Sequence, residues 1–77
     1  MITFNEFNTL SEDDKAEEVW RGTFLADRKD GDILVQLVSL HTFYVEIYYE
    51  PLENRILRFR AFNSLQLLEP FLKDLKL

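Results

Sequence analysis

The chain has 77 residues, of which 47% are hydrophobic, and its net charge is −5. This length predicts one domain whose core lies near the lower limit for independent stability. The sequence contains no cysteine and a single histidine, which excludes disulfides and thiolate metal sites. We therefore expect one small domain over residues 1–77 that is stabilised by apolar burial, to which self-association could add, without a metal or a cofactor.

The distribution of charge and hydropathy restricts the classes of partner. No window approaches the roughly 18 apolar residues of a membrane span, and the start MITFNEF lacks the features of a signal peptide. We therefore expect a cytoplasmic protein without a membrane partner. Residues 1–22 contain six acids and two bases. This acidic end argues against a nucleic-acid partner, which prefers a basic surface.

Two N-terminal segments carry helix start signals. Thr3 and Ser11 are each followed three positions later by an acidic residue, which is typical of a capping box or a near variant of it. In the second segment Ala16, Val19 and Trp20 fall on one side of a helix. Gly22 predicts where this helix ends. We expect two short helices, with Trp20 on the apolar side of the second.

Four β-rich runs follow, and they predict strands over residues 23–28, 33–40, 43–50 and 56–62. The first two are separated by a strong Asp-Gly turn signal at Asp30 and Gly31. The next turn contains no glycine, so we expect His41 to adopt a left-handed backbone conformation. Pro51 cannot donate to a strand ladder and marks the end of the third strand.

The third run alternates cleanly between two faces, as expected of a strand whose faces differ. One face carries Phe43, Val45, Ile47 and Tyr49, and the other carries Tyr44, Glu46, Tyr48 and Glu50. Keeping the apolar residues of the last two strands on one face requires a loop of five or three residues, since a four-residue loop turns one strand over. Either permitted register places Glu46 opposite Arg58 or Arg60. Gln36 is expected on the face of Tyr48.

A last helix is predicted to begin at Ser64, because four leucines recur at helical spacing, with a kink at Pro70. These leucines are Leu65, Leu68, Leu72 and Leu75. The sequence thus predicts an α+β fold of order α-β-β-β-β-α. In it, a four-stranded antiparallel meander sheet carries the N- and C-terminal helices on one face.

The sheet face opposite the helices is the candidate functional surface. It combines tyrosines and arginines, the residue types that are enriched at the centres of protein interfaces. The candidate partner-binding residues are Tyr44, Tyr48, Arg58, Arg60 and Phe62. The competing interpretation is that these residues are ordinary strand formers without a binding role.

Catalysis is not expected, and no catalytic, cofactor-binding or metal-ligating residue is predicted. Ser39 and His41 lie near a strand end, where no acid is placed by spacing to orient the imidazole. Glu46 and Glu50 lie about 13 Å apart along a strand, too far for two carboxylates that act on one bond. The sequence contains no phosphate-binding loop, nucleophile elbow or metal-ligand spacing.

Three functional hypotheses follow. In the first, a non-enzymatic protein uses its open sheet face for self-association or for contact with another protein. In the second, an acidic inhibitor or accessory protein presents its N-terminal helices to a basic partner. In the third, a pocket between the helices and the sheet binds a small molecule or catalyses a reaction.

Overall fold

The order of elements is two helices followed by four strands, in a computed structural model that describes residues 2–63 and Phe71. The elements are α1 (Phe4–Asn8), α2 (Glu12–Trp20), β1 (Thr23–Asp30), β2 (Ile33–Ser39), β3 (Tyr44–Glu50) and β4 (Arg55–Phe62). The strands form one antiparallel sheet in the order β1-β2-β3-β4. The predicted α+β class and the antiparallel meander are confirmed.

Both helices begin at the predicted capping residues. The Thr3 hydroxyl accepts from the amide of Glu6, and the Thr3 amide donates to the Glu6 carboxylate over 3.0 Å. The Thr3 amide, and after it the Thr3 side chain, lower the pKa of Glu6 below its ordinary value, because hydrogen bonds to the carboxylate favour its charged form. The Ser11 hydroxyl accepts from the amide of Asp14. Local side-chain chemistry therefore fixes where α1 and α2 start.

The turns between the first three strands also follow their sequence signals. Gly31 has φ 63° and, with Asp32, connects β1 to β2 in a two-residue turn, a position at which glycine avoids the steric penalty of other residues. β1 therefore continues to Asp30, two residues beyond the predicted end at Arg28. His41 has φ 79°, which confirms its predicted left-handed conformation.

The connection between β3 and β4 differs from the prediction. Glu50 pairs with Arg55, so the loop has four residues, the length that the alternation argument excluded. A bulge resolves the conflict, because Tyr48 pairs with Arg58 and Tyr49 with Ile56, which leaves Leu57 without a partner on β3. The extra residue restores the register beyond it. Glu46 then faces Arg60, one of its two predicted partners.

Buried residues form two clusters, one on each face of the sheet. On the first face α1 and α2 contribute Phe7 and Val19, and the sheet contributes residues that include Phe43, Val45 and Ile47. The rings of Phe7 and Phe43 lie 5.6 Å apart between centroids. Burial of apolar surface on this face is the main stabilising contribution of the helices, at about 25 cal/mol per Å².

The second cluster lies on the opposite face and consists of Val35, Leu37, Tyr48, Phe62 and Phe71. Phe71 is helical and buried. The rest of the helix predicted to begin at Ser64 lies outside the described residues. Phe71 therefore packs on the sheet face opposite α1 and α2, whereas the sequence interpretation places both terminal helices on one face.

The helices that the structure describes are short. Across residues 2–63 and Phe71, none is long and apolar enough to cross a membrane.

Candidate interaction surface

Glu46 is the central polar residue of the face that carries Phe71, and only 2% of it is exposed. Its Oε1 accepts from the Tyr48 hydroxyl and from Nη1 of Arg60, each over 3.3 Å. Its Oε2 accepts from Nη2 of Arg28 over 3.2 Å. A buried carboxylate is tolerated only when it is paired and hydrogen-bonded. These three donors, from β1, β3 and β4, satisfy both carboxylate oxygens.

Arg28 reaches across β2 from the edge strand β1 to make this contact. Its guanidinium carbon lies 5.2 Å from the centroid of the Phe71 ring, within the range of a cation–π interaction. Its Nε is buried and has no hydrogen-bond partner among the described residues. Arg28 therefore serves to hold Glu46 and to contact Phe71. This role was not predictable from the sequence, since Arg28 lies far from β3 in the chain.

The five predicted partner-binding residues lie together on this face, which we name the arginine face for its Arg28, Arg58 and Arg60. They divide into two groups by exposure. Tyr48 and Phe62 are 8% and 4% exposed and belong to the second core cluster. The centre of the face is therefore buried, whereas the sequence interpretation leaves the whole face open. Arg58 and Arg60 are exposed, and Tyr44 is half-buried and stacked on Phe62 at 5.6 Å.

Arg58 is the most distinctive exposed residue of the arginine face. Its guanidinium carbon lies 4.2 Å from the centroid of the Tyr48 ring, so a buried aromatic ring orients an exposed cation. None of the described carboxylates lies within 4.0 Å of Arg58. Arg28 and Arg60 share the Glu46 carboxylate, and Arg58 pairs with no described carboxylate, so this part of the arginine face has more positive than negative charge although the net charge of the chain is −5.

The predicted position of Gln36 is wrong. Gln36 pairs with Ile47, and its neighbours Val35 and Leu37 pair with Tyr48 and Glu46. Gln36 therefore shares the helix-bearing face, and two aliphatic residues of β2 take its predicted place on the arginine face. The near-continuous apolar run of β2 has no alternation from which its register follows.

An apolar groove on the helix-bearing face was not anticipated. Trp20, the last residue of α2, is 68% exposed instead of buried in the core. It borders a groove of about 510 Å³, which we name the Trp20 groove, lined by Trp20, Leu34, Gln36, Ile47, Tyr49, Asn54 and Ile56. The Tyr49 hydroxyl donates to Oδ1 of Asn54 at one end. Because α2 ends at Trp20, it leaves this part of the sheet uncovered.

A second depression also borders the C-terminal end of α2 and lies beside His41. It has a volume of about 390 Å³ and includes Glu18, Ser39 and His41 in its lining. Glu18 pairs with Arg21 over 3.4 Å, and within the described part of the chain no hydrogen bond connects Ser39 to His41. The Ser39 hydroxyl and the His41 imidazole thus line the same depression, but they do not make the hydrogen bond that would activate the hydroxyl as a nucleophile.

Metal ligands do not cluster in the part of the chain that the structure describes, where no three residues among histidine, cysteine, aspartate and glutamate are grouped to bind an ion. In comparisons with protein-family models, with curated proteins and with solved structures, nothing matches the chain.

Proposed function

We propose that this chain is a non-enzymatic, cytoplasmic protein that acts by binding an acidic surface of another protein. The contact is made by the exposed residues of the arginine face, namely Tyr44, Arg58 and Arg60. Tyr48 and Phe62 support this surface from below, since their side chains are buried in the second core cluster. Three of the five predicted residues thus contact the partner, and the other two support those three.

The position of Arg58 is the observation that carries the proposal. Its guanidinium is exposed, stacked on Tyr48, and has no carboxylate within 4.0 Å among the described residues. Stacking reduces the conformational entropy that a long side chain loses on binding. An oriented arginine with unused donors is well suited to a bidentate contact with a carboxylate. The geometry therefore favours a partner that supplies carboxylates.

The charge of the arginine face favours binding to a different protein over binding to the arginine face of a second copy of this chain. Two arginine faces brought together would place Arg58 and Arg60 of each copy near those of the other, and like charges at an interface are unfavourable. We therefore expect the chain alone to sediment as a monomer. Association of two copies through this face would contradict that expectation.

A second candidate function rests on α2. The helix carries five acids and one lysine, and Asp13, Asp14 and Glu17 make no ion pair with another described residue. This acidic surface suits a basic partner, as an inhibitor or accessory protein would require. The two candidates are distinguished by the sign of charge that the partner presents.

A capture experiment with matched variants tests the proposal. The immobilised wild type, Arg58→Gln, Lys29→Gln and the double variant Glu17→Gln/Glu18→Gln are exposed to the same cell extract, and captured proteins are quantified by mass spectrometry. Lys29→Gln removes one positive charge from the opposite edge strand and serves as the control. We expect wild type, Lys29→Gln and Glu17→Gln/Glu18→Gln to capture an acidic protein that Arg58→Gln does not capture. Loss only with the α2 variant would support the second candidate instead.

A further inference from the structure

We propose that the partner binds as an extended segment that adds to the outer edge of β4 as a fifth strand of the sheet. Acidic side chains of that segment lie beside Arg58 and Arg60, and apolar side chains lie beside Ile56. This inference rests on the proposed function and deepens it, because it names the binding mode and the sequence pattern of the bound segment.

The outer edge of β4 is free of backbone pairing within residues 2–63 and Phe71. β4 is the last strand of the sheet and pairs only with β3, and its amides and carbonyls make no other backbone hydrogen bond to a described residue. Residues 55–58 and Arg60 are exposed. An exposed edge of this kind offers a row of donors and acceptors to an added strand.

The charge of β4 selects the chemistry of the added strand. β4 contains three arginines and no acid, so it contributes +3 to a net charge of −5 and the rest of the chain carries −8. Arg58 and Arg60 project on one face, about 7 Å apart at two residues along a strand. Acidic residues at alternate positions of an added strand have the same spacing, so they match this pair.

The other face of the same edge selects apolar residues. Ile56 pairs with Tyr49 and lines the Trp20 groove together with Trp20. An added strand projects its intervening side chains toward this face, because successive residues of a strand alternate. Apolar side chains there continue the groove and cover Ile56 and Trp20. The segment that fits both faces therefore alternates acidic and apolar residues.

The outer edge of β4 is less suited to a second copy of β4 than to an acidic strand, and it differs in charge from the other edge strand. A second copy of β4 would place arginines beside arginines, so self-pairing is disfavoured. The opposite edge strand, β1, contains Asp27, Arg28, Lys29 and Asp30 and has no net charge. Both edge strands contain a bulge, at Leu25 in β1 and at Leu57 in β4. Together with the charged residues, these bulges protect the edges against unselective pairing. In β4 the protecting charges have one sign, which leaves an acidic strand as the favoured partner.

Synthetic peptides test the binding mode directly. The probe is an end-blocked peptide of the length of β4 that alternates glutamate and valine, labelled for fluorescence anisotropy. A second peptide is N-methylated at its two central residues, which removes one amide donor from each edge of the strand and leaves the side chains unchanged. A third replaces each glutamate by lysine. All three are titrated with wild type, Arg58→Gln and Lys29→Gln.

We expect the acidic peptide to bind wild type, with about tenfold weaker binding after N-methylation because backbone hydrogen bonds are lost. Arg58→Gln weakens binding about fivefold, as expected when one charged contact is removed, and Lys29→Gln leaves it unchanged. Equal binding of the methylated peptide would overturn strand addition and leave the proposed function standing.

Two other results are also decisive. Absence of binding at millimolar peptide would overturn strand addition, while the capture experiment would still decide the proposed function. Preferential binding of the lysine peptide would overturn both. Circular dichroism of each variant establishes that the fold is intact.

Discussion

Glu46 and Arg60 face each other across β3 and β4, and Nη1 of Arg60 donates to Oε1 of Glu46 over 3.3 Å. The carboxylate is buried, whereas 45% of the Arg60 side chain is exposed. Arg60 therefore joins the buried second cluster to the exposed part of the arginine face. Through this pair, the stability of the sheet and the position of the proposed contact residues depend on the same hydrogen bonds.

Glu46→Gln is expected to destabilise the protein by about 3 kcal/mol, because it leaves Arg28 and Arg60 near a neutral amide in a largely buried site. Urea unfolding of wild type and variant measures this difference. Glu50→Gln, in the same strand, is the control, since Glu50 pairs with the exposed Arg55 at 3.9 Å and its loss costs below about 1 kcal/mol. Equal effects of the two substitutions would contradict the central role of Glu46.

Tyr48→Phe is expected to cost about 1 kcal/mol, because it removes a buried hydrogen bond to Glu46 and keeps the ring under Arg58. Tyr48→Ser also removes the buried ring and costs about 3 kcal/mol or more. Tyr49→Phe is the matched control, because the Tyr49 hydroxyl bonds to Asn54 at an exposed position. Chemical unfolding compares the variants. A larger loss for Tyr49→Phe than for Tyr48→Phe would refute this assignment.

Gly22→Ala is expected to destabilise the junction between α2 and β1 by about 1–3 kcal/mol through overpacking. A Cβ atom at this position would lie 2.5 Å from Cγ1 of Val38 and 2.7 Å from the carbonyl oxygen of Ser39. Thermal and urea unfolding measure the loss. At Gly31 a Cβ would meet nothing within 4 Å, so Gly31→Ala carries only the backbone penalty of its positive φ, about 1 kcal/mol. An unchanged free energy of unfolding for Gly22→Ala would show that the junction has free space.

The α1 cap is expected to weaken in acid. The pKa of Glu6 is lower in the folded protein because the Thr3 amide and hydroxyl favour the charged carboxylate. The resulting stabilisation is present above the unfolded-state pKa and is lost as pH falls through the lower folded-state value. Wild type should therefore lose its advantage over Glu6→Gln between neutral and strongly acidic pH, as measured by urea unfolding across that range. A difference independent of pH would exclude the charged cap as its source.

Trp20 is expected to report on the groove, since it is the single tryptophan of the chain and is 68% exposed. Its fluorescence should resemble that of a solvated indole and be quenched readily by acrylamide. Trp20→Ser should change the free energy of unfolding by about 0.5 kcal/mol or less, as is usual for exposed positions. A blue-shifted, poorly quenched emission would show that the Trp20 groove is covered in solution.

Local signals account for much of the fold. Hydroxyl caps at Thr3 and Ser11, the glycine turn at Gly31 and the left-handed His41 all follow from interactions within a few residues, and each was predictable. The pairing of Glu46 with an arginine of β4 was also predictable, because alternation restricts the register to one that places Arg58 or Arg60 opposite Glu46, and the structure has Arg60 there. The caps and turns depend on residue type and short spacing alone.

The wrong predictions concern features that depend on tertiary structure. A bulge at Leu57 permits the four-residue loop that alternation excludes, and nothing in the sequence marks an extra residue there. Gln36 was misplaced because β2 is apolar on both faces. Trp20 was assigned to the core because helical periodicity cannot show where a sheet stops covering a helix. The burial of Glu46 depends on Arg28, a contact between distant strands.

Strand addition at β4 is tested most directly by locating the bound acidic peptide on the isotope-labelled protein, through amide and indole chemical-shift changes during titration. We predict that the largest changes fall on β4 between Arg55 and Arg60 and on the Trp20 indole, with β1 unaffected. Changes confined to α2 or to the cleft beside His41, with β4 unmoved, would contradict it.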